Sequence, residues 1–399
     1  MDNKVLSTKE HGSAIVLVLF ATLILSLIGM GLLQAGLNGR IFAIRNAQKI
    51  KACCAADAGL TKAIFEMGEK LKVKSWSDSS LPQETDQKLP NCEDTFSYKV
   101  SPSEGTNYNI ESIGSSRVTQ KRVYAVLRLQ GPFEAALVVQ GQLVLKPGAV
   151  VDGYNFTEVG EKLQLGTLNA LPASVVLGMG ALVGGDVFVG VGTDPDSVIS
   201  APEATITGRT YALTEEFWQP QVTVPQWLLD LPSQGTISAP ATITTSAKYD
   251  GINPGTGEII TIDGPVTLYV TGNISLSNSA EIQINNANPD ASLTLFLGGD
   301  LYCKNGGLIN NLTGDPTKLK IFGLDSCTNI SLASTSTFYG GICARNARVN
   351  LKNAVEIYGA VSVYDFMQGS AANLHYDAAL KIVNPTDPCV RFTVKRWRE

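Results

Sequence analysis

Few residues of this chain have the types and spacing that chemistry needs, and the first to weigh are one histidine and a set of carboxylates. The stretch "NLHYDAAL", residues 373–380, places His375 two positions before Asp377, a pair that could act as a base and its orienting acid. Asp186 and Asp300 end two "GGD" turns, Asp194 and Asp196 share "GTDPDS", and Glu356 lies in "VEIYG". Paired carboxylates cut glycosidic bonds when neighbouring strands hold them in one groove. These carboxylates, however, occupy different positions of the repeat described below, and turn aspartates usually bind backbone amides. The only other histidine is His11, close to the N-terminus, so a multi-histidine metal site is excluded and a triad is disfavoured. "GTDPDS" is short of the oxygen ligands that calcium takes, and the glycines of "GMGALVGG" are not followed by the helix that a dinucleotide loop requires. The expectation is no catalytic residue, no cofactor and no metal. His375 and Tyr376 would bond locally while Ala378, Ala379 and Leu380 close a last coil.

Sulfur is the other reactive element. Seven cysteines suit an oxidising compartment, and the odd number leaves at least one unpaired or bridging chains. Cys53 and Cys54 are adjacent on a presumed helix and point to different sides, so a bond between them would be strained. Cys92, Cys303, Cys327, Cys343 and Cys389 are the disulfide candidates, with their pairing open. The net charge of −5 and the 17% of charged residues, with no clustered basic face beyond the helix, argue against a nucleic-acid partner.

The elements that must position these residues begin with a membrane segment. From Ser13 to Gly39 no residue is charged, and more than roughly 18 apolar residues suffice to span a bilayer as a helix. A secretory signal would have a basic start, a shorter apolar core and a small-x-small site after it. Here the leader "MDNKVLSTKEHG" balances its acids against its lysines and ends in a glycine. The apolar run passes without proline into "RIFAIRNAQKIKACCAADAGLTKAIFEMGEKLKV", where Ile41, Ile44, Ala47, Ile50, Cys54, Leu60, Ile64, Met67 and Leu71 recur at helical spacing. One helix from residue 13 to about 71 would be about 90 Å long, its first half suited to lipid and its second to a folded head.

The leader resembles a type III signal sequence, in which prepilin peptidase cuts after the glycine; the matching bond is Gly12–Ser13. "GSAIVLVLF" followed by "ACCAADAGLTKAI" resembles the N-terminal region of PilX-type minor pilins of type IV pili, over roughly the first 70 residues. Asp57 stands at the acidic position of that family's Ala-Ala-acid-Ala-Gly-Leu stretch. The resemblance implies, as partners, prepilin peptidase, the inner membrane, other pilins and pilus assembly proteins. It also implies a single-pass precursor with its head in the periplasm, later carried to a pilus or the cell surface. The chain departs from the pilin pattern at the fifth mature position, where major pilins carry a glutamate that meets a neighbour's terminal amine. Leu17 stands there, which favours a tip or initiating subunit over a shaft subunit. Arg40, Arg45, Lys49 and Lys51 follow the span, and by the positive-inside tendency they would hold the C-terminal side in the cytoplasm; long C-terminal domains cross largely regardless of charge.

Residues 74–94, with Pro82 and Pro90, read as a non-helical linker. "TFSYKV", "YNIESI" and "VTQKRVYAVLRL" alternate apolar and polar residues and read as a three-stranded antiparallel sheet over 95–130. From 133 to 399 a weak repeat emerges. "LVLKPGAVVDG" from Leu143, "VVLGMGALVGG" from Val175, "ISLSNSAEIQI" from Ile274, "ISLASTSTFYG" from Ile330 and "VNLKNAVEIYG" from Val349 align without gaps. "LTLFLGGDLYC" from Leu293 is a sixth copy, and "VISAPEATITG" from Val198 a looser seventh. Apolar residues at the first, third and ninth positions, with small residues between, describe strand, bend and strand. Stacked copies suit a right-handed parallel β-solenoid, with asparagines laddered at its bends; a β-sandwich is the alternative. Residues 210–255 fit no coil and read as an insertion along its side, with Trp218, Trp227, Leu228 and Leu229 packed on it.

The fold class expected is therefore mainly β: a leader (1–12), a transmembrane helix (13–39), an amphipathic helix (40–73), a linker, a small sheet and a solenoid. The function expected is a minor pilin or pilus assembly subunit whose head contacts a surface or a polysaccharide ligand. Two alternatives use the same solenoid. One is a membrane-anchored protein that binds or cleaves polysaccharide; the other is a bactofilin-like polymerising scaffold.

Overall fold

The computed structural model describes residues 13–73, 76–156, 162–215, 219, 221–333, 337–352, 354–369 and 372–398. The leader with Gly12, and Trp218, lie outside them. A single helix, α1, runs over Ser13–Val73 without a break, as an apolar run with no proline should. The most apolar stretch of its first half touches nothing else in the chain: its window has a mean hydropathy of 2.7 and is 0% buried.

The second half lies on an antiparallel sheet. Strands β1 (Gln83–Lys88), β2 (Thr95–Pro102), β3 (Asn107–Ser116) and β4 (Thr119–Gln130) follow one another, and the C-terminal strand Arg391–Arg398 pairs with β4 to complete five. The inward residues Phe96, Tyr98, Val100, Tyr108, Ile110, Val123, Ala125 and Leu127 meet Ala56, Leu60, Ala63 and Met67 of the helix. Two boundaries shift from the sequence expectation. Part of the linker is a strand, and residues 391–398 belong to this sheet and not to the solenoid. Both are edge strands: "QETDQK" is mostly exposed and "RFTVKRWR" ends in exposed residues, so neither buries the alternating face that marks a strand in sequence.

The larger part is a parallel β-solenoid, and the sandwich alternative falls because its rungs are parallel throughout. Its path is discontinuous. The chain enters at Leu137–Val139 and winds through Leu165 and Val187 to Thr210–Ala212, each strand beside the last. It then crosses to the opposite end and resumes at Thr236 and Ala247. From there it winds back through Leu268, Leu295, Ile321 and Ile342 to Val361, which pairs with Leu137, where the solenoid began. The strand Asn373–Asp377 lies likewise against Val150–Asn155. The two arms meet at a seam in the middle. Both chain crossings to the antiparallel sheet, 131–136 and 378–390, leave from that seam.

This path corrects the expected insertion: among its described residues only 213–215, 219 and 221–235 are outside the coils, because 210–212, 236–237, 241–243 and 247–252 are rungs. The crossing does run along the side. Gln219 Nε2 donates to Ser362 Oγ at 2.7 Å, Gln221 to Asp325 at 2.6 Å, and Leu229 O accepts from Lys248 at 3.0 Å. Leu228 is buried in the core, whereas Trp227 is 52% exposed. The eleven-residue repeat is one corner of the coil. Its first residues Leu143, Val175, Ile274, Ile330 and Val349 share one face, and its ninth residues Val151, Val183, Ile282, Phe338 and Ile357 are buried on the next. The copy from Leu293 is out of phase, since Leu301 is the residue that pairs with both Ile274 and Ile330. Asn305 donates to Asn278 at 3.3 Å across one bend, both with the positive φ that asparagine tolerates.

Candidate functional site: an interface helix and a polar, aromatic solenoid face

The Ala-rich stretch of α1 owes its composition to a close approach. Ala52, Ala55, Ala56, Leu60, Ala63 and Met67 are wholly buried, and Ser112 Oγ donates to Ala56 O at 2.7 Å. A Cβ on Gly114 would stand 2.0 Å from Ala52 O, and one on Gly59 would stand 2.5 Å from Ser112 Oγ. Only small residues let helix and sheet come this near. The amphipathic stripe therefore differs from the one spacing suggested: Cys54 is exposed, and Ile41, Ile44 and Ile50 are 48%, 48% and 65% exposed. Asp57 is half-buried beside the small stripe, and Leu17 is 70% exposed on the bare half.

A second cluster lies on the outer side of the solenoid, at the seam. The outward residues of consecutive rungs form a column, Tyr339, Tyr358, His375 and Asp152, each beside the next in register. Tyr339 and Tyr358 stack at 4.8 Å between ring centroids, and Tyr358 and His375 at 4.5 Å. Tyr154, 53% exposed, meets Tyr358 edge-on at 4.8 Å. His375 places Nδ1 2.5 Å from Asp152 Oδ1 and Nε2 2.7 Å from Glu356 Oε2, while Asn373 donates to the other oxygen of Glu356 at 2.8 Å. Burial opposes a charge on the imidazole, but the hydrogen bonds and the charges of the two carboxylates outweigh it, and the His375 pKa is raised.

His375 and Asp377 are not brought together. Asp377 accepts from Ala379 N and from Asn155, on the inward-turning side of the strand. The local-bonding expectation also fails, because Tyr376 Oη donates to Phe133 O and His375 reaches Asp152, both more than 200 residues away in sequence. The segment is a seam and not a terminal cap. Asp300 accepts from Thr328 N and Asn329 N at 2.9 Å each, Asp186 accepts from Arg209 N at 2.8 Å, and Asp194 caps the turn at Asp196. These aspartates bind backbone amides, as turn aspartates do. Among the described residues no group of three or more His, Cys, Asp or Glu could hold a metal. No disulfide joins any of the seven cysteines: Cys92 is exposed, and Cys303, Cys327, Cys343 and Cys389 are buried.

Asp152, Tyr154, Tyr339 and Tyr358 were missed from sequence, although a signal existed. Tyr339, Tyr358 and Asp152 all occupy the tenth position of the repeat, the outward neighbour of the buried ninth.

A family model described as a domain of unknown function (DUF7305) matches residues 253–383, which is most of the arm that ends at the seam. No curated protein matches. Among solved structures, the competence-associated pilin ComZ from Thermus thermophilus aligns over 88% of this chain and 97% of its own, at 10% identity and a TM-score of 0.22. An ice binding protein from an Antarctic bacterium, Flavobacteriaceae, aligns over 61% of this chain and 80% of its own, at 12% identity and a TM-score of 0.22. At that score the overall folds do not superpose.

Proposed function

We propose that the chain is a minor pilin or pilus assembly subunit, anchored in the inner membrane by α1 before assembly, with the solenoid as a contact head. One observation carries the proposal: a continuous 61-residue helix is bare and apolar over its first half and buried against an antiparallel sheet over its second. A bare apolar half-helix needs lipid or other helices around it, and a filament core supplies the latter once the membrane is left. The sequence resemblance to type III signals and to PilX-type N-termini points the same way. We read the role as non-enzymatic, and the engagement of both His375 ring nitrogens by carboxylates supports that reading. Surface or polysaccharide contact falls to the column of Tyr339, Tyr358 and Asp152 with the exposed Tyr154. Processing tests the proposal directly. In cells with active prepilin peptidase the mature chain should begin at Ser13, and Gly12→Ala should leave the full leader on a membrane-bound chain. N-terminal analysis that finds the Met1 start in wild type would overturn it.

A further inference from the structure

From Ser13 to Ala56 the chain holds no Asp or Glu, and Arg40, Arg45, Lys49 and Lys51 are the only charged side chains there. All four are exposed. Among the described residues the helix ion pairs Lys62–Glu66, Lys62–Glu84 and Lys72–Glu69 all lie beyond Asp57. Two of the four cations stand in a defined place. Met67, Ala63, Leu60, Ala56 and Ala52, the stripe buried on the antiparallel sheet, recur every three or four residues, and the next positions of that series are Lys49 and Arg45. The sheet ends at their level. Strand β3 descends the helix with Ser112 at Ala56 and Gly114 at Ala52, and after the turn at Arg117 and Val118 the Thr119 hydroxyl lies 3.5 Å from Gln48 Oε1. Val118, at the tip, is 92% exposed, with Arg117, Lys121 and Arg122 exposed beside it. Carboxylates near this end are few: Glu111 is paired with Arg122 and Glu93 with Lys88, which leaves Asp94 on the neighbouring turn. Where the packing stripe runs out from under the sheet it therefore changes from alanine to lysine and arginine, and the turn above it is basic as well.

We propose that this corner between helix and sheet binds the phosphates of anionic lipid headgroups in the leaflet from which α1 emerges, and this rests on the reading of α1 as a membrane anchor. Its height along the helix selects lipid. Arg45 and Lys49 lie about 9 and about 15 Å beyond Gly39 at about 1.5 Å per residue, while the headgroup layer reaches about 5–8 Å past the hydrocarbon core on each side. Long Lys and Arg arms span the difference, their stems lying on apolar surface and their charges reaching back to the phosphates. Ile41, Phe42 and Ile44, all exposed, carry apolar surface into the same layer. Charge selects the kind of lipid. A zwitterionic headgroup brings its own ammonium, whereas an anionic one brings a phosphate that is not neutralised, and no carboxylate of α1 before Asp57 competes for the cations. The four cations thereby gain a use on the side opposite to the one that the positive-inside tendency favours: they act on the leaflet they face once the head has crossed. Departure into a filament breaks these contacts, so anionic lipid holds the subunit in the membrane until assembly.

The full-length chain is reconstituted into phosphatidylcholine vesicles that carry a trace of spin-labelled phosphatidylglycerol or, separately, of spin-labelled phosphatidylcholine. Electron paramagnetic resonance then measures the fraction of each label that the protein immobilises. Phosphatidylglycerol should be held about threefold or more over phosphatidylcholine at about 0.01 M salt, and the two about equally at about 1 M, where the screening length is about 3 Å. Arg45→Gln with Lys49→Gln should remove most of the preference, and Arg117→Gln should lower it. Arg40→Gln with Lys51→Gln removes the same charge from another side of the helix and should leave most of it. All five side chains are exposed, so circular dichroism should be unchanged, and the salt titration of the wild type stands whatever the variants do. Equal holding of the two labels by the wild type at low salt would overturn the site while leaving the anchor in place. Equal loss in the two double variants would reduce the site to diffuse charge and overturn the corner. Neither label immobilised, with the protein left behind when the vesicles float, would overturn the anchor and this site with it.

Discussion

His375 shows how one side chain can tie together segments that are remote in sequence. Its imidazole bridges Glu356, on the rung before it, and Asp152, on the first arm of the solenoid, and stacks on Tyr358. A histidine whose folded pKa is raised contributes stability that is fully present below its unfolded value of about 6.5 and is lost as pH rises through the folded value. Wild-type head stability should therefore fall as pH is raised from about 6 to above the folded pKa, as the imidazolium loses its charge between two carboxylates. His375→Ala should cost about 1 kcal/mol at pH 6, the contribution of charge-assisted hydrogen bonds reduced by partial exposure, and the cost should shrink as pH rises. Paired melting curves of wild type and variant across this range decide it. A difference that does not change with pH would show that the ring matters for stacking alone.

The rungs set which positions tolerate a charge. Leu276 and Leu351 are 0% and 2% exposed and pair with the inward residues of neighbouring coils, so Leu276→Asp or Leu351→Asp buries an unpaired carboxylate at a cost of several kcal/mol. Lys352 is exposed, and Lys352→Asp should change the melting temperature little. Chemical denaturation of the three variants measures this, and equal tolerance at Leu351 and Lys352 would refute the inward register. The strand–bend–strand corner was legible because Ile274, Leu276 and Ile282 pack with strict alternation on a buried side. The two-arm order was not: Val361 and Leu137 are apolar residues like those of every other rung, and nothing local states that one stacks on the other. Edge strands were equally silent, since β1 and Arg391–Arg398 bury too little to need a hydrophobic period. At α1 the helix was plain, but which face it buries followed from Gly114 and Ser112, outside the helix altogether.

The whole molecule joins a thin anchor to a wide head, and that mismatch bears on its place in a filament. The helix is about 90 Å long at about 1.5 Å per residue, and helices pack side by side at about 8–10 Å. Among the described residues the solenoid is ten strands deep along its longest face, about 45 Å at about 4.8 Å per strand, and is carried at its middle by the segments 131–136 and 378–390. In the proposed filament such heads would crowd one another more than the helices that carry them. Leu17 adds an independent constraint, because it offers no carboxylate to the terminal amine of a subunit beside it, whereas its own Ser13 amine, once exposed by cleavage, can still meet a glutamate on another chain. A subunit of this kind fits where one neighbour is missing, which is an end. The expected arrangement is a few copies per filament, at the tip or in the priming complex. Deletion should lower pilus number or adhesion while the shaft subunit remains. Immunogold labelling with an antibody to residues 140–399 should mark filament ends, and dense labelling along the shaft would refute the placement.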